Sequence, residues 1–299
     1  MTQRFVPSQP SDLSQLTDLA EMLRGRRVTV LTGAGCSTAS GIPDYRGPET
    51  SKKKRSPMMY REFVGSEEAR RRYWARSAVG WPRIQSARPN RGHQALASLE
   101  KRGNLSGLIT QNVDRLHSIA GSQNLVELHG ALAEVICLDC RTVISRDRIQ
   151  EQIATENPSW VATCHSLELA PDGDVEIPEI PTNFRVPRCK CTGLLKPHVV
   201  FFGENVPKPV VSRAWEFLDQ AEALLVVGSS LTVFSGYRFV RGAEKRGIPV
   251  GIINLGPTRG DEHAEIRVSA RVCDALDALD QLLTEPTDRP TPLNLRRGD

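Results

Sequence analysis

The chain has 299 residues, 39% of them hydrophobic and 25% charged, with a formal net charge of +4. This is ordinary globular composition with room for one large domain or two small ones, and so small a charge gives no case for nucleic acid. No apolar run reaches the ~20 residues of a membrane span, and Met1–Pro10 carries neither a secretory h-region nor an arginine-rich import pattern. Seven cysteines, in part spaced too tightly for a disulfide framework, suit a reducing compartment with a metal site. A cytoplasmic protein with no membrane and no specific nucleic-acid partner is expected.

In chain order, Leu13, Leu16, Leu19 and Leu23 predict a helix over Asp12–Arg24 behind a Ser11 cap. Apolar strands are predicted at Val28–Leu31, Gly107–Thr110, Leu125–Leu128, Val199–Phe202, Ala223–Val227 and Val250–Ile253. Helical patterns at Val210–Ala221, Phe234–Arg246 and Val272–Leu283 fall among them. Such alternation predicts an α/β fold, a doubly wound parallel (Rossmann-like) sheet whose ligands sit at the strands' carboxyl ends. Two stretches interrupt it. Glu49–Arg91 is polar and arginine-rich, with Lys52–Arg55 read as a solvated loop. Glu134–Leu195 holds five of the seven cysteines and a proline-rich loop, Ala170–Pro187. The expected organisation is a discontinuous nucleotide-binding domain (11–48, 92–132, 196–285) and a smaller inserted zinc-binding domain (49–91, 133–195). Tails at 1–10 and 286–299 complete it.

The chemistry-bearing residues cluster at strand ends. Gly33-Ala34-Gly35-Cys36-Ser37 follows the first strand, where glycines admit a pyrophosphate and the next helix start offers unpaired N–H groups. It departs from the Gly-x-Gly-x-x-Gly of hydride-transferring dehydrogenases. Gly41-Ile42-Pro43-Asp44-Tyr45-Arg46 adds a carboxylate and an arginine. Thr110–His117 crowds Gln111, Asn112 and Asp114 at the end of another strand. His129, before Gly130, is a histidine, whose unperturbed imidazole pKa near 6.5 suits general-base work. Cys137-x-x-Cys140 with Cys189-x-Cys191 points to one closed, structural Zn2+. Gly228-Ser229-Ser230-Leu231 and Asn254-Leu255-Gly256 fit the riboses and second phosphate of a dinucleotide.

Together these residues, with Leu195-Lys196-Pro197 through Phe202-Gly203-Glu204, resemble the sirtuins, the NAD-dependent protein-lysine deacylases. The resemblance runs from Val28 to Cys273, and Arg72–Arg76 with Val79–Pro82 looks like class II. It implies that NAD is consumed as a co-substrate and that acylated lysines of proteins are the other substrate, meeting in a cleft between two domains. The acyl oxygen would attack the ribose carbon bearing nicotinamide, with His129 as general base and O-acyl-ADP-ribose as product. Gln111, Asn112, Val113 and Asp114 would hold the nicotinamide ribose and the reacting water, and Asp44, Tyr45 and Arg46 the nicotinamide side. Gly33, Ala34, Gly35 and Ser37 would take phosphates. Gly228, Ser229, Ser230, Asn254, Leu255, Gly256 and Cys273 would surround the adenosine half.

The resemblance also implies that the substrate peptide adds as a strand between Gly203-Glu204-Asn205 and Leu231–Ser235, touching Leu231 and Val233, with Phe202 bordering the acyl channel. Tyr73 and Arg76 match the Tyr-x-x-Arg by which class III members take acidic acyl groups. The family's second cysteine pair is usually Cys-x-x-Cys, so the tighter Cys189-x-Cys191 leaves Cys164 or His165 as a reserve zinc ligand. Mono-ADP-ribosyl transfer to a protein is the alternative reaction, and a non-catalytic ADP-ribose-binding module the alternative class.

Overall fold

The computed structural model describes residues 10–45, 57–161, 175, 177 and 180–284. Helix α1 (Pro10–Leu23) leads into strand β1 (Val28–Thr32), followed by 3₁₀ turns at Ala34–Cys36 and Thr38–Ser40. Next come α2 (Tyr60–Gly65), α3 (Glu67–Ser86), α4 (Arg91–Lys101), β2 (Leu105–Thr110), α5 (Leu116–Ala120) and β3 (Leu125–Glu127). The middle of the chain supplies β4 (Gly130–Cys137), β5 (Val143–Ser145), α6 (Arg146–Glu156), α7 (Pro158–Val161) and β6 (Leu195–Val199). It closes with α8 (Lys208–Asp219), β7 (Ala223–Val227), α9 (Phe234–Lys245), β8 (Val250–Ile253), β9 (Ile266–Val268) and α10 (Val272–Thr284).

Strands β1, β7 and β8 are buried at every residue. Unbroken apolar runs of this kind suit a parallel sheet covered on both faces. Six strands form it in the order β3-β2-β1-β7-β8-β9. Leu16 and Leu19 of α1, Leu96 and Leu99 of α4, and Leu276 and Leu279 of α10 pack on one face. Phe217 and Leu218 of α8, with Phe239 and Val240 of α9, cover the other. The chain winds outward from β1 to β3 and returns beside β1 as β7. That reversal is the switch point at which open α/β sheets form a crevice.

A second, antiparallel sheet has the order β5-β4-β6 and its own core, including Phe63, Trp74, Val135, Ile149, Ile153 and Leu195. Here the structure corrects the strand expected at Val199–Phe202. The strand is Leu195–Val199, and it pairs with β4 rather than joining the parallel sheet. Pro197 is tolerated because β6 is an edge strand. Phe201 owes its apolar character to packing, with its ring 5.2 Å from Phe63 and 5.3 Å from Tyr73. Residues 130–132 and 196–199 therefore sit in the small sheet, across the boundaries expected at 132/133 and 195/196.

The two sheets are joined where β3 runs into β4. His129 lies between β3 and β4, Gly130 pairs with Val199, and Val200 N donates to His129 O at 2.9 Å. Gly130 has φ +76°, and a Cβ there would strike the His198 carbonyl. No other residue type fits both demands.

Candidate functional site

The carboxyl ends of β1, β2, β7 and β8 open into a cleft of about 850 Å³, whose opposite wall is built from Tyr73 and the 199–206 segment. The first wall starts with the turn after β1. A Cβ on Gly33 would lie 2.7 Å from Ser229 Cβ and 2.8 Å from Gly228 O, and one on Gly35 3.0 Å from Gly228 Cα. These glycines are thus required by the β7 loop pressed against them, a reason the sequence did not disclose. The expected helix start is instead a 3₁₀ turn. Gly33 N donates to Val227 O, Gly35 N to Gly228 O, Cys36 N to Gly33 O and Ser37 N to Ala34 O, so most donors of the turn are spent inside the protein.

Beneath this turn a polar network fixes the end of β2. Asn112 Nδ2 donates to Gly33 O and to Ser37 Oγ, each at 3.1 Å, and Ser37 Oγ donates to Asp114 Oδ2 at 2.7 Å. Asp114 Oδ1 accepts from Leu116 N at 2.9 Å, tying the start of α5 to the cleft. Burial raises the Asp114 pKa, against the lowering effect of the Leu116 and Ser37 hydrogen bonds. Gln111 Nε2 bridges to Ser229 Oγ at 2.7 Å, joining β2 to β7.

His129 is held at both ring nitrogens. Nδ1 lies 2.9 Å from Gln111 O, and Nε2 2.7 Å from Ser235 Oγ. A carbonyl can only accept, so Nδ1 carries the proton and Nε2 the lone pair, to which the Ser235 hydroxyl donates. Burial lowers the His129 pKa below its usual 6.5; the Gln111 carbonyl opposes this and the Arg238 charge adds to it. The imidazole is neutral at physiological pH and its ring lines the cleft, the basic nitrogen held by Ser235.

The cleft brings together Gly33, Ala34, Gly35, Ser37, Asp44, Tyr45, Gln111, Asn112, Val113, Asp114 and His129 from the first half of the chain. From the second half it takes Phe202, Gly203, Glu204, Gly228, Ser229, Ser230, Leu231, Val233, Asn254, Leu255 and Gly256. Tyr73 lines it, whereas Arg76, one turn along α3, is not among the lining residues. Cys273 is also away from the lining, at the start of α10, with its thiol 3.3 Å from Asn90 Oδ1. Arg46, Lys52–Arg55, Cys164 and His165 lie outside the described residues. Arg238 and Arg259 line the cleft without having been singled out in the sequence, and Ser235, expected only as the end of the Leu231–Ser235 peptide loop, sits against His129.

The four cysteines converge. Cys137 and Cys191 sulfurs are 3.5 Å apart, Cys140 and Cys189 3.7 Å, and all four lie within 4.8 Å of one another. A tetrahedron of ~2.3 Å zinc–sulfur bonds sets its sulfurs ~3.8 Å apart, so these residues fit the ion without a fifth ligand. The tight Cys189-x-Cys191 spacing is accommodated by a turn in which Thr192 takes φ +68° and donates its N–H to Cys189 O at 2.8 Å. Gly193 is needed beside it, since a Cβ would collide with Asp139 and with Cys137 Sγ.

Comparison with known proteins matches this architecture. The Sir2 family model covers residues 33–235. The chain is 49% identical over 275 residues to NAD-dependent protein deacetylase 1 of Mycobacterium avium strain 104, spanning 90% of this chain and 96% of the relative. It is 49% identical over 267 residues to the NAD-dependent protein deacetylase of Bordetella bronchiseptica, spanning 88% and 96%. A solved structure of Sir2 with a p53 peptide and NAD+ superposes with a TM-score of 0.70 at 29% identity, covering 88% of this chain and 96% of that one. Another, Sir2 bound to acetylated peptide, gives 0.68 at 28% identity, covering 89% and 97%. Matched by the family model over residues 33–235, and 49% identical across most of its length to such relatives, the chain belongs to the Sir2 family.

Proposed function

We propose that this protein is an NAD-dependent protein-lysine deacylase that transfers the acyl group to ADP-ribose and releases nicotinamide. The observation that carries this reading is the His129 ring, neutral and tautomerically fixed, lining the cleft with its Nε2 bonded only to the Ser235 hydroxyl. NAD, when bound, supplies a ribose carbon that becomes electrophilic as nicotinamide departs. With a ribose hydroxyl in place of Ser235 Oγ as the donor to Nε2, His129 would take its proton there, and the imidazolium would be stabilised through Nδ1 by the Gln111 carbonyl. Asn112 and Asp114, locked by Ser37, orient the ribose and water, while Gly33–Ser37 and Ser229 cradle the dinucleotide. Tyr73 and Phe202 border the acyl group, and the peptide lies between the 203–205 and 231–235 loops.

The two sheets act as two lobes, one for the dinucleotide and one stiffened by Zn2+ at Cys137, Cys140, Cys189 and Cys191. The thiolate-rich cluster supports a reducing, cytoplasmic setting, with acyl-lysine proteins as partners in place of nucleic acid or membrane. No helix among the described residues is long and apolar enough to cross a membrane.

The test is mass spectrometry of an acetyl-lysine peptide incubated with NAD. Free lysine peptide with O-acetyl-ADP-ribose is expected, and His129→Ala should lower kcat by ~10²–10⁴-fold while the fold persists. ADP-ribose attached to protein, with no acyl-ADP-ribose, would favour mono-ADP-ribosyl transfer instead.

A further inference from the structure

The wall opposite the 202–205 loop is made by the first turn of α9 and the loop before it, and its charges are unbalanced. Arg238 lines the cleft one turn after Ser235, with its guanidinium 5.5 Å from the centre of the Phe234 ring. Its Nε is buried without an acceptor, and among the described residues no carboxylate lies within ion-pair distance of it. Arg259 lies 4.2 Å from the centre of the Tyr237 ring, its Nη1 3.5 Å from Thr232 O, and it too has no carboxylate partner there. By contrast, Arg115 is paired with Glu134 at 2.6 Å and Arg246 with Asp219 at 2.6 Å, while the buried Arg146 and Arg70 bond backbone carbonyls. Nor does the facing loop compensate. Glu204 is already engaged by the buried Lys196 at 3.1 Å and by Phe201 N at 2.9 Å.

Two guanidinium forks stacked on aromatic rings and left without anions are suited to bidentate capture of a carboxylate. We propose that Arg238 and Arg259 form a carboxylate-recognition rim that selects acyl-lysine sites flanked by Asp or Glu. The inference rests on the deacylase reading, in which the substrate strand runs beside the 231–235 loop. A strand added there turns alternate side chains toward α9, so acids within two residues of the lysine come within reach of the rim.

The experiment is fluorescence anisotropy with the full-length protein, without NAD, on acetyl-lysine peptides identical except for Glu, Gln or Lys flanks. At low ionic strength the Glu peptide should bind about tenfold more tightly than the Gln peptide, the gap closing as salt screens the rim. Arg238→Gln with Arg259→Gln should bring the ratio within about twofold, and Arg238→Lys should restore part of it. A wild-type ratio of one, or a ratio that survives the double substitution in a variant of unchanged melting temperature, overturns the proposal. A fourth peptide carries glutaryl-lysine with neutral flanks; a loss confined to it places the anion at the acyl end and also overturns the proposal. Turnover of the neutral acetyl peptide with NAD tests the deacylase reading separately, so a flat flank preference on a working enzyme refutes the rim alone.

Discussion

Asp114 is a deeply buried carboxylate with two donors, Ser37 Oγ and Leu116 N, and each carries weight. Ser37→Ala removes one donor and also strips a partner from Asn112 Nδ2, which should cost ~1–3 kcal/mol in urea unfolding. Behind them His93 caps α4 through Asn90, accepting Asn90 N at Nδ1, and burial lowers its pKa from 6.5 to about 4. The unfolded chain therefore takes up that proton first, and stability falls as pH drops from about 6.5 to about 4, by ~3 kcal/mol at the bottom of the window. Asp114, raised above the usual carboxylate range, works in the opposite sense, gaining stability as it protonates. Unfolding of wild type and His93→Gln at pH 7.5 and 4.5 separates the two, and the variant should show the smaller acid loss. Catalysis has its own marker. In the proposed reaction His129 would act only when neutral, and its pKa is lowered, so the acid limb of kcat/KM should fall below pH 6.5.

At the level of elements, the zinc knuckle sits at the edge of the small lobe's core, with Cys137 and Cys189 buried in it but Val143 of β5, Cys140 and Cys191 at the surface. Metal binding should therefore supply much of its folding energy. Purified protein should carry about one zinc per chain. Cys191→Ser or a strong chelator should release it, lower the melting temperature and expose the β4–β6 sheet to hydrogen exchange before the parallel sheet. Metal-free protein with unchanged melting would contradict this. The parallel strands were legible in the sequence because burial on both faces demands unbroken apolar runs, as in Ala223–Val227. Strand β6 was not. Lys196 and His198 break its pattern, and Lys196 is buried only because Glu204 and the Pro197 carbonyl receive its ammonium, partners the sequence cannot place. Strand β9 was missed for a related reason, being a three-residue edge strand with Arg267 at its centre. Most of the cleft was readable from strand-end motifs. The contact of Ser235 with the imidazole was not, because a serine in the first turn of a helix signals a cap until the fold sets it against His129.

Considered whole, the molecule places its cleft between an α/β body and a smaller lobe, so a ligand bridging both should stabilise both. NAD at ~100 times its Kd should add ~2.7 kcal/mol, a rise of ~5–10 °C in Tm for a chain of this size, readable by differential scanning fluorimetry. Gly35→Ala, which presses a methyl toward Gly228, should weaken that shift by displacing the β7 loop, even though it touches no catalytic group. The way the sheets are joined has a mechanical meaning. The β3–β4 crossing is bonded to the β6 exit at His129 and Val200, to the end of β2 through Leu132 N and Val113 O at 2.8 Å, and by Arg115 between Glu127 and Glu134. A crossing pinned on several sides yields less than the free ends of the elements it joins. On the proposed function, the imidazole would keep its place over the dinucleotide floor while the outer ends of the peptide loops adjust to a protein substrate, like a stake driven where the ropes converge.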